Sequence, residues 1–322
     1  MKISSLFILF LFLLILILIY YILYNKGNYI QIIIKKLLAM LKEGVINIRN
    51  ESPPKKIVVF DLDETLGSFI EISMFWNALE EYYGRKLENE YFYNLLNVFP
   101  EFLRPNIINI LNYLKDKKIN NECDQIMIYT NNQGPTSWVY MISNYFNQTI
   151  NYQLFDKIIA AFKVNGKIVE MNRTSHGKSV NDLIRCTKIQ TNTEICFIDD
   201  QYHPLMNHEN VYYIHLKPYM FSMPYQEMAE RYFEKEKINI PEKKEIFVKK
   251  IVEYMNNYNF NINPKSNEEK EVEKVITKQI MIHLEDFFKK KKSHNTKKRK
   301  NTTTTTTTNT KANSTKKKQV SI

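Results

Sequence analysis

Ile57-Val-Val-Phe-Asp61-Leu-Asp63-Glu-Thr65-Leu66 is a short charge-free run that breaks at once into acids. Consecutive apolar, largely β-branched residues read as a strand buried on both faces. The polar turn behind such a strand is where an open parallel sheet places its ligands. Two further runs end the same way: Ile126-Met-Ile-Tyr129 into Thr130-Asn131-Asn132, and Ile195-Cys-Phe-Ile198 into Asp199-Asp200. With residues 211–216 they give four strands separated by longer helical stretches, which predicts an α/β, Rossmann-like fold with a mostly parallel central sheet. The longest helical stretch, residues 69–117, carries Phe75, Trp76, Tyr82, Tyr83, Tyr91, Phe92 and Tyr93. Residues 69–102 therefore suit either a small helical cap over the site or plain packing.

Asp61, Asp63, Asp199 and Asp200, brought to one sheet edge, would repel one another unless a cation lay among them. Hard oxygen donors with no Cys/His pair nearby point to Mg²⁺ rather than Zn²⁺. Rival chemistries fail on spacing. His176-Gly-Lys-Ser179 ends like a phosphate-binding P-loop, but the first glycine of that loop falls on Asn172. The residues six after Cys123, Cys186 and Cys196 are Tyr129, Asn192 and Tyr202, so no cysteine has the arginine of a Cys-based phosphatase. His203, His208 and His215 show no zinc spacing. With 7 Gly in the chain and no cluster of three, a dinucleotide-binding loop is nearly excluded.

The segment Asp61-Leu-Asp-Glu-Thr-Leu66 resembles the signature of haloacid dehalogenase (HAD) superfamily phosphotransferases. In its DLDETL form it resembles the FCP/SCP-type phosphatases, which act on the C-terminal domain of RNA polymerase II. Leu103-Arg-Pro105, followed by a helix and a strand ending at Thr130, is similar to that group, though Asn106 stands where a glycine is usual and Thr130-Asn-Asn replaces Thr-Ala-Ser. Lys178 and Asp199-Asp200 match the third and fourth HAD motifs in order, so the resemblance covers about residues 55–220. It implies Asp61 as nucleophile, forming an aspartyl-phosphate, and Asp63 as general acid and base. It also implies phosphate binding by Thr130, Asn131 and Lys178, and a Mg²⁺ held by Asp61, the Asp63 carbonyl, Asp199 and Asp200. The activity expected is hydrolysis of phosphoserine or phosphothreonine in a protein substrate. Alternatives are a HAD phosphatase for a nucleic-acid end or small metabolite, and a non-enzymatic tethering module.

Outward from this core, residues 6–24 form an uncharged apolar run, long enough as a helix for the ~30 Å hydrocarbon core of a bilayer. Residues 1–26 are expected to be a transmembrane anchor, and Lys26, Lys35, Lys36 and Lys42 beyond the run predict a single-pass protein with its catalytic domain in the cytosol. This layout resembles Dullard-type members of the family. Residues 27–54 read as an amphipathic juxtamembrane segment or linker, ended by Ser52-Pro-Pro-Lys-Lys. The phosphatase domain is expected over residues 55–240 and further helices over 241–288. The second of these opens with the capping box Ser266-Asn-Glu-Glu269. Residues 289–322 hold 12 Lys/Arg and no Asp/Glu, more than the whole net charge of +11, so the basicity belongs to a tail. Rich in Lys and Thr, that tail is expected to be disordered. It is a candidate for binding anionic lipid or nucleic acid, for nuclear import, or for solubility alone. Three Cys in 322 residues exclude a disulfide-stapled fold.

Overall fold

The computed structural model describes residues 5–24, 35–36, 38, 54–236, 240–262, 265–289 and 319–322. The chain divides into two compact units, Met1–Pro54 and Lys55–Ile322.

In the first unit, helix α1 covers Ser5–Tyr24. Among the described residues, no helix is long and apolar enough to cross a membrane. This finding corrects the expected transmembrane anchor and, with it, the single-pass topology, the membrane partner and the cytosol-facing placement. The amphipathic segment expected over residues 27–54 lies almost wholly outside the described residues.

The second unit is built on a six-stranded sheet of order β3-β2-β1-β6-β7-β8. Its strands are β1 (Lys56–Phe60), β2 (Gln125–Tyr129), β3 (Lys157–Ile159), β6 (Glu194–Asp199), β7 (Val211–His215) and β8 (Gln319–Ser321), and every pairing is parallel. A separate hairpin, β4 (Lys163–Val164) with β5 (Lys167–Ile168), follows β3. Side chains alternate between the two faces of the sheet. Val58, Phe60, Ile126, Ile128, Cys196 and Ile198 enter one apolar core. Ile57, Val59, Met127, Tyr129, Ile195 and Phe197 enter the other. Burial on both faces explains the unbroken apolar runs of these strands.

Among the described residues of the second unit, eight helices stand: α2 (Ile70–Tyr83), α3 (Asn89–Val98), α4 (Ile107–Ile119), α5 (Thr136–Thr149), α6 (Val180–Thr187), α7 (Tyr225–Glu236), α8 (Lys244–Asn256) and α9 (Asn267–Lys289). The single helical stretch expected over residues 69–117 is thus broken. Gly84 ends α2 in the left-handed conformation (φ 61°), a 3₁₀ turn covers Pro100–Phe102, and Asn106 (φ 58°) opens α4. Asn tolerates the left-handed region that glycine would otherwise fill. Phe75, Trp76 and Phe92 are buried and join the core on the first face of the sheet. Helices α8 and α9 give Ile251, Met255, Ile280, Leu284 and Phe287 to the same core as the sheet. Of the expected tail, residues 290–318 lie outside the described residues. Gln319–Ser321 pairs with β7, and Ile322 donates its N–H to the His215 carbonyl.

Candidate active site

Chain order reverses beside β1: β2 and β3 lie on one side of it, β6 and β7 on the other. A parallel sheet opens a crevice at such a switch point, and the acids stand there. Asp61 leaves the end of β1, and its N–H donates to the Ile198 carbonyl of β6 (2.9 Å). Asp199 ends β6 and Asp200 follows it. Asp61, Asp199 and Asp200 are all buried, with one carboxylate oxygen from each within 4.8 Å of the others.

Lys178 lies within this cluster. It precedes helix α6, whose N-cap Ser179 accepts from the Asp182 N–H (3.1 Å), so the cap fixes where the lysine emerges. Its ammonium donates to Asp61 Oδ1 and to Asp199 Oδ2 (2.7 Å). Burial alone would depress the lysine, but the two carboxylates outweigh it and hold the ammonium above its ordinary value. Asp199 also takes the Gln201 N–H (2.8 Å) and has His203 Nε2 at 3.4 Å. Burial opposes its ionisation, but Lys178 and His203 prevail and hold it below the usual carboxylate range. Asp61 moves the other way: burial, aided by Asp199, pushes it well above that range against the pull of Lys178. Burial also raises Asp63, against the Asn132 hydrogen bond, and burial and Asp199 raise Asp200. With all four acids ionised, the cluster would hold more negative charge than one ammonium offsets. A hard divalent cation fits that deficit and that all-oxygen donor set.

Thr65, two residues past Asp63, donates its hydroxyl to Asp200 Oδ1 (3.1 Å) and so links the first and last motifs. Glu64 between them takes φ 61°, and its carbonyl accepts the Tyr219 N–H (2.7 Å). Gly67 is required where the loop turns back: a Cβ there would stand 2.7 Å from the Phe102 carbonyl oxygen.

The strand-β2 residues are positioned less directly. Thr130 is buried, and its hydroxyl oxygen accepts the Asn132 N–H (3.0 Å). Asn131 turns its amide oxygen to Arg173 (2.7 Å). Asn132, which motif spacing did not single out, donates through Nδ2 to Asp63 Oδ2 (2.8 Å) and so ties the β2 loop to the β1 loop. Arg173 was also not foreseen. Buried over the Tyr129 ring, it donates to the carbonyls of Thr130 (2.9 Å), Ala160 (2.8 Å) and His176 (2.9 Å), which holds the Lys178 segment against β2. Its sequence signal is slight: an arginine among the lysines of a loop that has to clamp several carbonyls.

A cavity of about 900 Å³ opens from Asp63 and Asn132 between α2 and α5. Trp76, Trp138 and Tyr140 line it with the amides Asn77, Asn89 and Asn144. Its lysine, Lys86, is paired with Glu80 (2.6 Å). Residues 69–102 thus supply one wall of the entrance.

No protein-family model matches the chain, and no curated protein matches it. The Rossmannoid parallel sheet with its buried Asp61–Asp199–Asp200 cluster is consistent with the HAD-superfamily fold and does not single out the FCP/SCP type.

Proposed function

We propose that the chain is a Mg²⁺-dependent phosphatase that cleaves phosphate monoesters through an aspartyl-phosphate, with phosphoserine or phosphothreonine of a protein as its substrate. The observation that carries this reading is the buried Asp61–Lys178–Asp199 contact beside Asp200 at the switch point of a parallel sheet. The cation would be held by Asp61, Asp200 and the Asp63 carbonyl, with Asp199 alongside. It supplies offsetting charge and polarises the phosphoryl oxygens. The chain's own groups do the rest. An Asp61 carboxylate oxygen attacks phosphorus while the bond from phosphorus to the ester oxygen breaks. Asp63 gives its proton to that leaving oxygen. Asp63 then takes a proton from the water that attacks the Asp61 phosphate, which frees phosphate and regenerates Asp61. Lys178, charged and unable to retreat into solvent, balances the transferred group. Thr130 and Asn131, just past the end of β2, would bind phosphate oxygens.

The entrance supports a protein substrate over a nucleic-acid end. A polyanion needs a track of unpaired lysines and arginines. The amide-rich wall with its paired Lys86 offers donors and acceptors of the kind a peptide main chain satisfies. The test is turnover of an aryl phosphate, a phosphoserine peptide, a 3′-phosphorylated oligonucleotide and a sugar phosphate by the full chain, with and without Mg²⁺. The expected result is cation-dependent turnover with the phosphopeptide preferred. Full activity after exhaustive chelation would remove the cation, faster turnover of the oligonucleotide would replace the substrate class, and a folded chain inactive on all four would favour a tethering role.

A further inference from the structure

Arg104 is a fully buried guanidinium, held by backbone carbonyls and one acid. Its Nε donates to the Thr65 carbonyl (2.7 Å), and Nη2 donates to the carbonyls of Glu64 (2.6 Å) and Lys217 (3.0 Å). Nη1 faces Glu273 Oε2 on helix α9 (3.5 Å). Glu273 is itself buried, and its other oxygen takes Lys265. The path continues forward, because the Thr65 hydroxyl donates to the Asp200 carboxylate and receives the Asp200 N–H (3.2 Å). A continuous set of polar contacts therefore runs from α9 through Arg104 and the Glu64–Thr65 backbone to a carboxylate of the cation site.

We infer that Arg104 and Glu273 are positioning residues for that site, and that helix α9 sets the geometry of the Asp61–Gly67 loop through them. The inference rests on the phosphatase reading for its catalytic consequence but not for its structural one. Three carbonyls on two segments cannot converge on a point charge as they do on a planar fork, so lysine is no substitute for Arg104. Glu273 keeps the fork oriented, since an unpaired buried guanidinium would turn to any acid in reach. Groups that orient metal-holding side chains typically change cation affinity about 10- to 100-fold when removed. Lys265 supplies the control: it pairs with the same Glu273 and lies over the Tyr219 ring (4.6 Å), but among the described residues no hydrogen bond joins it to the loop itself.

The experiment compares full-length Arg104→Lys, Glu273→Gln and Lys265→Gln with the parent. It follows Mg²⁺ binding by calorimetry without substrate, amide exchange of residues 61–67, thermal midpoint, and kcat and KM on an aryl phosphate. Arg104→Lys and Glu273→Gln are expected to speed exchange in the loop, weaken Mg²⁺ about tenfold, and lower kcat more than KM. Lys265→Gln is expected to lower the midpoint with loop exchange and Mg²⁺ affinity as in the parent. The inference is overturned if the first two variants lose only thermal stability, or if Lys265→Gln shifts exchange and affinity as much as they do. A parent chain that proves inactive while the exchange pattern holds would discard the phosphatase reading and leave α9 as the organiser of the loop.

Discussion

Asp63 takes its orientation from the Asn132 amide, whereas Asp61 is gripped by Lys178. This separation allows the two acids to be tested apart. Asp63→Asn keeps the nucleophile and the main-chain carbonyl, so an activated aryl phosphate should still phosphorylate Asp61. Alkyl phosphates and the breakdown of the intermediate should slow by ~10²- to 10⁴-fold. Mass spectrometry after rapid acid quench should find the phosphoryl group on Asp61, and its appearance on a histidine or serine would refute the assignment. Asp61→Asn should abolish turnover. Glu71 on α2 gives a second residue-level prediction, for stability. It is buried, one oxygen accepts the Met223 N–H (3.4 Å), and the other has no partner among the described residues. Burial raises it from 4.5 to about 7. Between those values the folded chain binds a proton that the unfolded chain has released, so stability falls as pH rises. The contribution is full below about pH 4.5 and is lost through about pH 7, up to roughly 3 kcal/mol. Urea unfolding of Glu71→Gln should show a flatter pH dependence over this window than the parent, and equal slopes would remove Glu71 as the source.

Among the elements, α9 combines an end that is readable in the sequence with a role that is not. Its capping box forms as the spacing predicts: Ser266 N–H donates to Glu269 Oε2 (2.9 Å) and Glu269 N–H to Ser266 Oγ (3.2 Å). Ser266→Ala should cost about 1 kcal/mol, whereas Leu284→Ala, in the core, should cost ~2–5 kcal/mol, both read from denaturant midpoints. Of its apolar positions, Ile276, Ile280, Leu284 and Phe287 are buried but Val272 and Val275 are exposed, since they lie off the face that Glu273, Ile276, Ile280, Leu284 and Phe287 bury. The four strands were legible because burial on both faces leaves long apolar runs. The three-residue β3 and two-residue β4 and β5 are too short for any period to register. Gln319–Ser321 pairs through its backbone and carries no apolar alternation strong enough to mark it. The same contrast governs the site. Asp61, Asp63, Lys178, Asp199 and Asp200 follow from strand ends and motif order. Asn132, Arg104 and Arg173 act through bonds to groups far away in sequence, and only the folded chain reveals those partners.

At the scale of the second unit, chemistry and entrance come from different layers. The acids sit on the sheet's carboxyl edge, and one wall of the cavity comes from helices inserted between β1 and β2, the other from α5 after β2. That insert is pinned from behind. Phe75 packs edge-on against Tyr232 of α7 (5.4 Å), and Tyr82 packs edge-on against Phe247 of α8 (5.0 Å). Such aromatic pairs add ~0.5–1.5 kcal/mol each beyond the area they bury. Swinging the wall away would break both together. Turnover should therefore owe little to hinge friction, because substrate enters and phosphate leaves past a fixed doorway. Raising solvent viscosity with sucrose should leave kcat on an alkyl phosphate unchanged, while a kcat that falls in proportion to viscosity would show that a moving gate sets the pace.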